Sequence, residues 1–289
     1  MEGKQTMQGK IVLITGADHG IGRETTRGIA KTGATIVMTS LNPQEEGNPV
    51  CDAIKQESGN PHIEVMALDL ASLDSIRDFV RQFSQKYQQL HVLINNAGVY
   101  CHTRGETKHG FERTIGINLL GPFLLTNLLL PLLQQTPGAR ILNVSSNAHF
   151  QGKIDLGDLH LSKNYQGFKA YANSKLAIVL FTQELAERLK NTGITVNALH
   201  PGHAATDIWN IWPGKWYQAL LTKIVQRFMI SSEEAAQTSI YLASSNEVKG
   251  ITGKYFEKKK IKEKVSPKSK DRQLQKALWQ LSEKLTGLA

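Results

Sequence analysis

Lys10-Ile11-Val12-Leu13-Ile14-Thr15, followed by Gly16-Ala17-Asp18-His19-Gly20-Ile21-Gly22-Arg23, is the stretch on which the fold turns. A β-branched run leads into closely spaced glycines and then into a helical segment. That order meets the physical demands of a pyrophosphate. Glycines let the backbone turn tightly and approach the phosphates, and a helix N-terminus offers unpaired N–H groups with a partial positive charge. An isolated glycine triplet is equally compatible with a plain structural turn. The strand ahead of it, beginning at residue 10, favours dinucleotide binding.

The rest of the chain repeats the alternation. Short β-branched runs bounded by Gly, Asn or Pro recur at 35–39, 62–68, 91–95, 140–144, 195–199 and 251–255. Between them lie stretches of helical spacing, such as Ile76, Phe79, Val80 and Phe83. Seven strands alternating with helices predict a parallel sheet covered on both faces, and right-handed crossovers make it doubly wound. The expectation is a single α/β Rossmann-type domain over 1–289 with a seven-stranded parallel sheet.

Composition agrees. With 289 residues, 40% hydrophobic and 20% charged, the chain can bury a full core, which excludes disorder, collagen-like repeats and a small disulfide scaffold. Cys51 and Cys101 lie in no C-x-x-C pair and are expected as free thiols in a reducing compartment. The opening residues contain no apolar run, so no signal peptide is read, and Phe123 to Leu133 is too short to span a bilayer. A soluble, cytoplasmic protein, at most peripheral at a membrane, is expected. The formal charge is +9, but its distribution matters more. Eight lysines between 254 and 270 face only Glu257 and Glu263, a local net of +6, so the body before them is nearly neutral.

The T-G-x-x-x-G-x-G spacing at Thr15 to Gly22 resembles that of the short-chain dehydrogenase/reductase family. The resemblance implies cofactor contacts at Gly16, Asp18, His19, Gly20, Ile21, Gly22 and Arg23. It extends them to Asp69 and Leu70 after the third strand, and to Asn95, Ala97 and Gly98 in the N-N-A-G turn after the fourth. Pro201, Gly202 and Thr206 look like the loop closing over the nicotinamide end. NAD specificity generally uses an acidic residue at the end of the second strand; Thr39-Ser40-Leu41-Asn42 stands there instead. With His19 and Arg23 able to reach a 2′-phosphate, NADP is expected ahead of NAD, although relatives usually carry Arg at the position of Leu41.

Tyr171-Ala172-Asn173-Ser174-Lys175 puts Tyr171 and Lys175 at i and i+4, on one face of a helix read as continuing to Asn191. A free Tyr, with a pKa of about 10, is a poor acid or base near neutrality, and a neighbouring ammonium stabilises its phenolate. The resemblance completes a tetrad. Ser146, at the end of the fifth strand, would hydrogen-bond the substrate oxygen, with Ser145 as a capping hydroxyl. Asn118 would hold a water linking Lys175 to solvent, and Lys175 would also bind the nicotinamide ribose. None of His102, His109, His200 or His203 has metal-ligand company at a recognised spacing, so no metal is expected.

Residues 203–230 hold three of the four Trp and are read as a substrate lid, or as a helix pair packing on the body or a partner. Gly121 to Pro131, Asn143 to His149, Tyr171 to Arg188 and Thr252 to Pro267 resemble the retinol dehydrogenase branch. This implies an apolar carbonyl or alcohol substrate, retinal-like or another lipophilic aldehyde or ketone. The alternative is a non-catalytic dinucleotide-binding protein whose basic tail contacts membrane or nucleic acid. Nucleic acid ranks last, because no aromatic platform accompanies the charge. The segment 256–289 is read as a basic connection and a terminal amphipathic helix. Family habit implies a homodimer or homotetramer through helices near 110–135 and 170–190.

Overall fold

A computed structural model of the chain describes residues 6–202 and 230–289. All of the expected lid except Ile230, including His203 and Thr206, lies outside the described residues.

Eight strands form one sheet: β1 Ile11–Ile14, β2 Thr35–Ser40, β3 Ile63–Ala67, β4 Val92–Asn95, β5 Arg140–Val144, β6 Thr195–His200, β7 Tyr255–Glu257 and β8 Lys260–Ile261. Their order is β3-β2-β1-β4-β5-β6-β7-β8. The first seven are mutually parallel, while β8 runs antiparallel to β7. The chain order reverses between β1 and β4, which opens a crevice at the carboxyl ends of those strands.

The sheet is buried on both faces because its side chains alternate. Val12 and Ile14 join Ile36, Met38, Ile94 and Leu142 in one core, under α1 (Gly20–Ala30), α2 (Asn48–Ser58) and the helix Ser232–Ser244. Leu13, Val37, Leu93, Ile141 and Val196 belong to the other core. That side is covered by α3 (Leu73–Lys86), α4 (Arg113–Gln134) and α5 (Gly167–Arg188). We number the remaining long helices α6 (Ser232–Ser244) and α7 (Arg272–Thr286). α3 begins where the Ser72 hydroxyl accepts the Ser75 N–H, and it buries Ile76, Phe79 and Phe83 in the expected periodicity.

Three boundaries differ from the sequence reading. The seventh strand was expected at 251–255 and occupies Tyr255–Glu257, because Gly250 and Gly253 sit at φ +76° and +69° and hold the backbone in turns. α5 ends at Arg188 rather than Asn191, where Leu189 leaves helical geometry. The apolar helix is longer than its Phe123–Leu133 core. Glu112 caps the N–H groups of Thr114 and Ile115, and a π turn at Gly116–Leu120 carries the helix on to Gln134. At 22 residues it is long and apolar enough to cross a membrane, yet 72% of its most apolar window is buried inside the protein.

α7 packs over α4 and α5. Trp279 lies 4.8 Å from the Phe123 ring and 5.9 Å from that of Phe181, with the Arg188 guanidinium 4.1 Å above it. α7 thus covers part of the two helices, α4 and α5, named above for contacts between copies of the chain.

Candidate active site

The phosphate loop is built around bare α-carbons. Gly16 and Gly20 take φ of +59° and +52°, values that L side chains adopt only with strain. A Cβ on Gly22 would stand 2.0 Å from the Gly16 carbonyl oxygen and 2.6 Å from Asn96 Nδ2. Asn96, which the sequence reading passed over, stitches this loop to the β4 turn. Its Nδ2 donates to the Thr15 and Gly16 carbonyls at 2.9 and 3.0 Å, and the Thr15 hydroxyl accepts the N–H groups of Asn96 and Ala97 at 3.0 Å. α1 starts behind the loop with no side-chain cap and no acid in its first turn, so its free N–H groups and positive end suit a phosphate. Gly22→Ala is expected to cost about 1–3 kcal/mol of stability through overpacking and to weaken dinucleotide binding sharply. Denaturant unfolding and a fluorescence titration check both, and unchanged binding would show that the loop is not the cradle.

The cavity at the crevice has a volume of about 630 Å³, within the usual range for small-molecule sites. Gly16, Asp18, His19, Gly20, Ile21, Gly22, Asp69, Leu70, Ala97 and Gly98 line it, as do Pro201 and Gly202. Arg23 and Asn95 are not part of the lining. The Asn95 amide instead donates inward to Thr126 and Asn143, at 3.0 and 2.8 Å, because it is the last residue of a strand buried on both faces. At the β2 end, Ser40, the exposed Leu41 and Glu46 complete the wall. The sequence reading stopped at Asn42 and missed Glu46, which the turn at Pro43–Gly47 brings back to the rim. Burial pushes the Asp18 carboxyl up, but hydrogen bonds from His19 (2.6 Å) and Ser40 outweigh it and hold the group below the usual carboxylate range.

At the other end the four expected residues converge. Asn118, wholly buried in the π turn, accepts the Val99 N–H at 2.8 Å and donates to the Val99 carbonyl and the Ser174 hydroxyl, each at 2.9 Å. Its side chain thus clamps the chain that follows β4 onto α5. Gly98 borders both Asn118 and Lys175, since a Cβ there would stand 3.3 Å from Lys175 Nζ and 3.4 Å from Asn118 Oδ1. Lys175 Nζ donates to the Val144 carbonyl at 3.1 Å and sits 5.4 Å from the centre of the Tyr171 ring.

Burial dominates the electrostatics. It pushes the Tyr171 phenol up to about 12, with the Ser146 hydroxyl pulling the other way, and pushes the Lys175 ammonium down to about 8. The Ser146 hydroxyl is the hydrogen-bond partner that draws the phenol back toward the working range. The capping hydroxyl is Ser146 rather than the expected Ser145. Ser146 caps the short helix Asn147–Phe150, accepting the Ala148 N–H, whereas Ser145 donates to the Lys175 carbonyl at 2.8 Å and so fixes α5 against β5.

His149, given no role in the sequence reading, stands wholly buried behind Ser146. Its Nε2 accepts the Ser266 N–H at 3.2 Å, which leaves Nδ1 to donate to the Ser146 carbonyl at 2.8 Å. Only its i+3 spacing from Ser146 could have drawn attention to it. Around Tyr171 the wall is mainly apolar, from Val99, Tyr100, Ile117 and Val144, with His200 and Ser232 beyond. The Tyr100 ring lies 5.6 Å from that of Tyr171. Among the described residues no group of His, Cys, Asp and Glu is arranged to hold a metal ion.

Comparison with known proteins follows this geometry. The sequence profile described as short chain dehydrogenase matches residues 10–214. Retinol dehydrogenase 13 of Homo sapiens is 42% identical over 290 residues, covering 99% of this chain and 87% of that protein. Polyprenol dehydrogenase of Mus musculus is 37% identical, covering 96% and 84%. A crystal structure of a Mycobacterium paratuberculosis protein superposes with a TM-score of 0.78 at 32% identity, covering 99% of this chain and 96% of that one. A short chain dehydrogenase of Shigella flexneri complexed with NADP shares the fold, with a TM-score of 0.70 at 23% identity, covering 89% and 100%.

Proposed function

The chain belongs to the short-chain dehydrogenase family, and on that premise we propose that it transfers hydride between NADP(H) and an apolar carbonyl or alcohol. The observation that carries this reading is the convergence of Ser146, Tyr171 and Lys175 on one wall of a cavity whose other end is a glycine cradle. The space that a Cβ on Gly16 or Gly22 would fill, and the uncapped start of α1, fit a dinucleotide pyrophosphate.

The bound dinucleotide supplies the hydride. Tyr171 gives its proton to the carbonyl oxygen during reduction and takes it back during oxidation. Ser146, fixed by its cap and by His149 behind it, donates a hydrogen bond to the same oxygen as negative charge develops there. Lys175 holds a positive charge beneath the phenol, which favours phenolate in the oxidising direction. Asn118 keeps the Val99 backbone and α5 in register, so that Gly98 leaves Lys175 uncovered.

Two features support the choice of cofactor and substrate. No carboxylate stands at residues 39–42, where β2 ends; Asp18 on that wall is engaged by His19 and Ser40, and Glu46 is the remaining acid at the rim. The wall near Tyr171 is apolar, and relatives of about 40% identity are named for retinol and polyprenol. Turnover of a panel of lipophilic aldehydes with NADPH is expected to exceed that with NADH by at least about tenfold, a difference of roughly 1.4 kcal/mol. Equal rates would remove the 2′-phosphate assignment. Binding of both cofactors without turnover of any aldehyde would leave a dinucleotide-binding protein.

A further inference from the structure

β7 and β8 are joined by two residues, Lys258 and Lys259, with φ of +50° and +62°. A two-residue hairpin of this hand ordinarily uses Asn-Gly or Asp-Gly. A side chain in the left-handed region is strained, and this turn accepts that strain twice in succession with a lysine each time. Lys260, Lys262 and Lys264 follow, all exposed, and Ile261 stands among them with 38% of its surface in water. Glu257 neutralises Lys262 at 2.9 Å, which leaves the turn itself and Lys260 strongly positive.

The hairpin turns at the carboxyl end of the parallel strands, the end at which the cavity lies. Glu257 is in register with His200 of β6, which lines the cavity, and accepts a hydrogen bond from Asn147, the neighbour of Ser146. On its other side the Lys259 N–H donates to the Thr238 hydroxyl of α6, the helix whose first residue, Ser232, is on the cavity wall. The strained lysines therefore lie at the same end of the sheet as the cavity.

We propose that this lysine hairpin docks the enzyme on an anionic lipid bilayer, with Ile261 inserted among the headgroups, so that the cavity opens beside the phase in which an apolar substrate dissolves. This rests on the apolar-substrate reading. Lysines attract an anionic surface within a Debye length, and an apolar side chain among them adds burial in the interface. The aromatic rings of the hairpin, Tyr255 and Phe256, are buried, so these lysines have no exposed stacking platform beside them, which disfavours single-stranded nucleic acid as the occupant.

The test uses the full chain with vesicles of phosphatidylcholine, with and without phosphatidylserine. Co-sedimentation with the anionic vesicles alone is expected, and it should be lost at high salt. The triple variant K258Q/K260Q/K264Q should bind about a hundredfold more weakly, with turnover of a water-soluble aldehyde unchanged. Replacing the turn by Asn-Gly (K258N/K259G) should raise the unfolding midpoint while still weakening vesicle binding, which separates docking from folding. Binding that ignores phosphatidylserine or the lysines would overturn the proposal, as would tighter binding to a DNA oligonucleotide. Lysine-dependent vesicle binding by a chain that turns over no aldehyde would uphold the docking surface and sink the enzyme reading instead.

Discussion

Tyr171→Phe is expected to lower kcat by about a thousandfold, the usual scale of a lost general acid or base, while leaving the dinucleotide Kd within a few-fold of its original value. The substitution removes one oxygen from a ring that is only 5% exposed. The ring keeps its packing against Tyr100, Ala148 and Ala172, so the fold should survive. What disappears is the phenol that Ser146 hydrogen-bonds and that lies above the Lys175 ammonium. Steady-state rates in both directions, read beside a cofactor fluorescence titration, make the comparison. If the variant keeps even a tenth of its activity, the proton must come from elsewhere. Since burial holds the phenol near 12, alcohol oxidation should also accelerate as pH rises, whereas carbonyl reduction should not.

Lys175→Met is expected to make the cofactor-free protein more stable while disabling it. Burial drops the ammonium from 10.5 to about 8, so the folded chain holds this proton less tightly than the unfolded chain. At neutral pH the buried charge then costs about 3 kcal/mol, a penalty that shrinks as pH climbs above 8 and is gone beyond 10.5. Methionine fills a similar space without the charge but abandons the charged hydrogen bond to the Val144 carbonyl, worth about 2 kcal/mol. A net gain of about 1 kcal/mol at pH 7 should appear in denaturant unfolding and shrink as pH rises above 8. Activity should fall at least about a hundredfold. A variant less stable than the parent at pH 7 would mean that the ammonium is better compensated than its surroundings indicate. An enzyme that retains such a penalty trades stability for chemistry.

How much of this was readable beforehand depended on how local each cause was. The phosphate loop and the Tyr171–Lys175 pair were legible because their spacing is itself the physics: a backbone that must pass bare α-carbons, and two side chains one helical turn apart. Six of the seven expected strands lie where β-branched runs end in turn residues, and the seventh moved because Gly250 and Gly253 take positive φ. β8 was hidden by its length and by a turn of lysines, where residue preference gives no hint of a hairpin. Asn96 and His149 act through partners 80 and 117 residues away, Gly16 and Ser266. Glu46 reaches the rim through a π turn. Asn95 went the other way: the N-N-A-G turn was recognised, but only packing showed that its first Asn faces the core while the second binds the loop.

The link from Ser266 through His149 to Ser146 has a consequence for biosynthesis. The chain emerges from the ribosome N-terminus first, so β1, the glycine cradle and even Tyr171 are made long before residue 266 and the helix that places Trp279 over α4 and α5. Contacts of such long sequence separation form late, after their loop-closure entropy has been met. A nascent chain can therefore acquire a nucleotide-binding half while its reactive centre still lacks a back wall. Competence arrives only once residues 266–286 are made, so a chain lacking them should be inert as well as unstable.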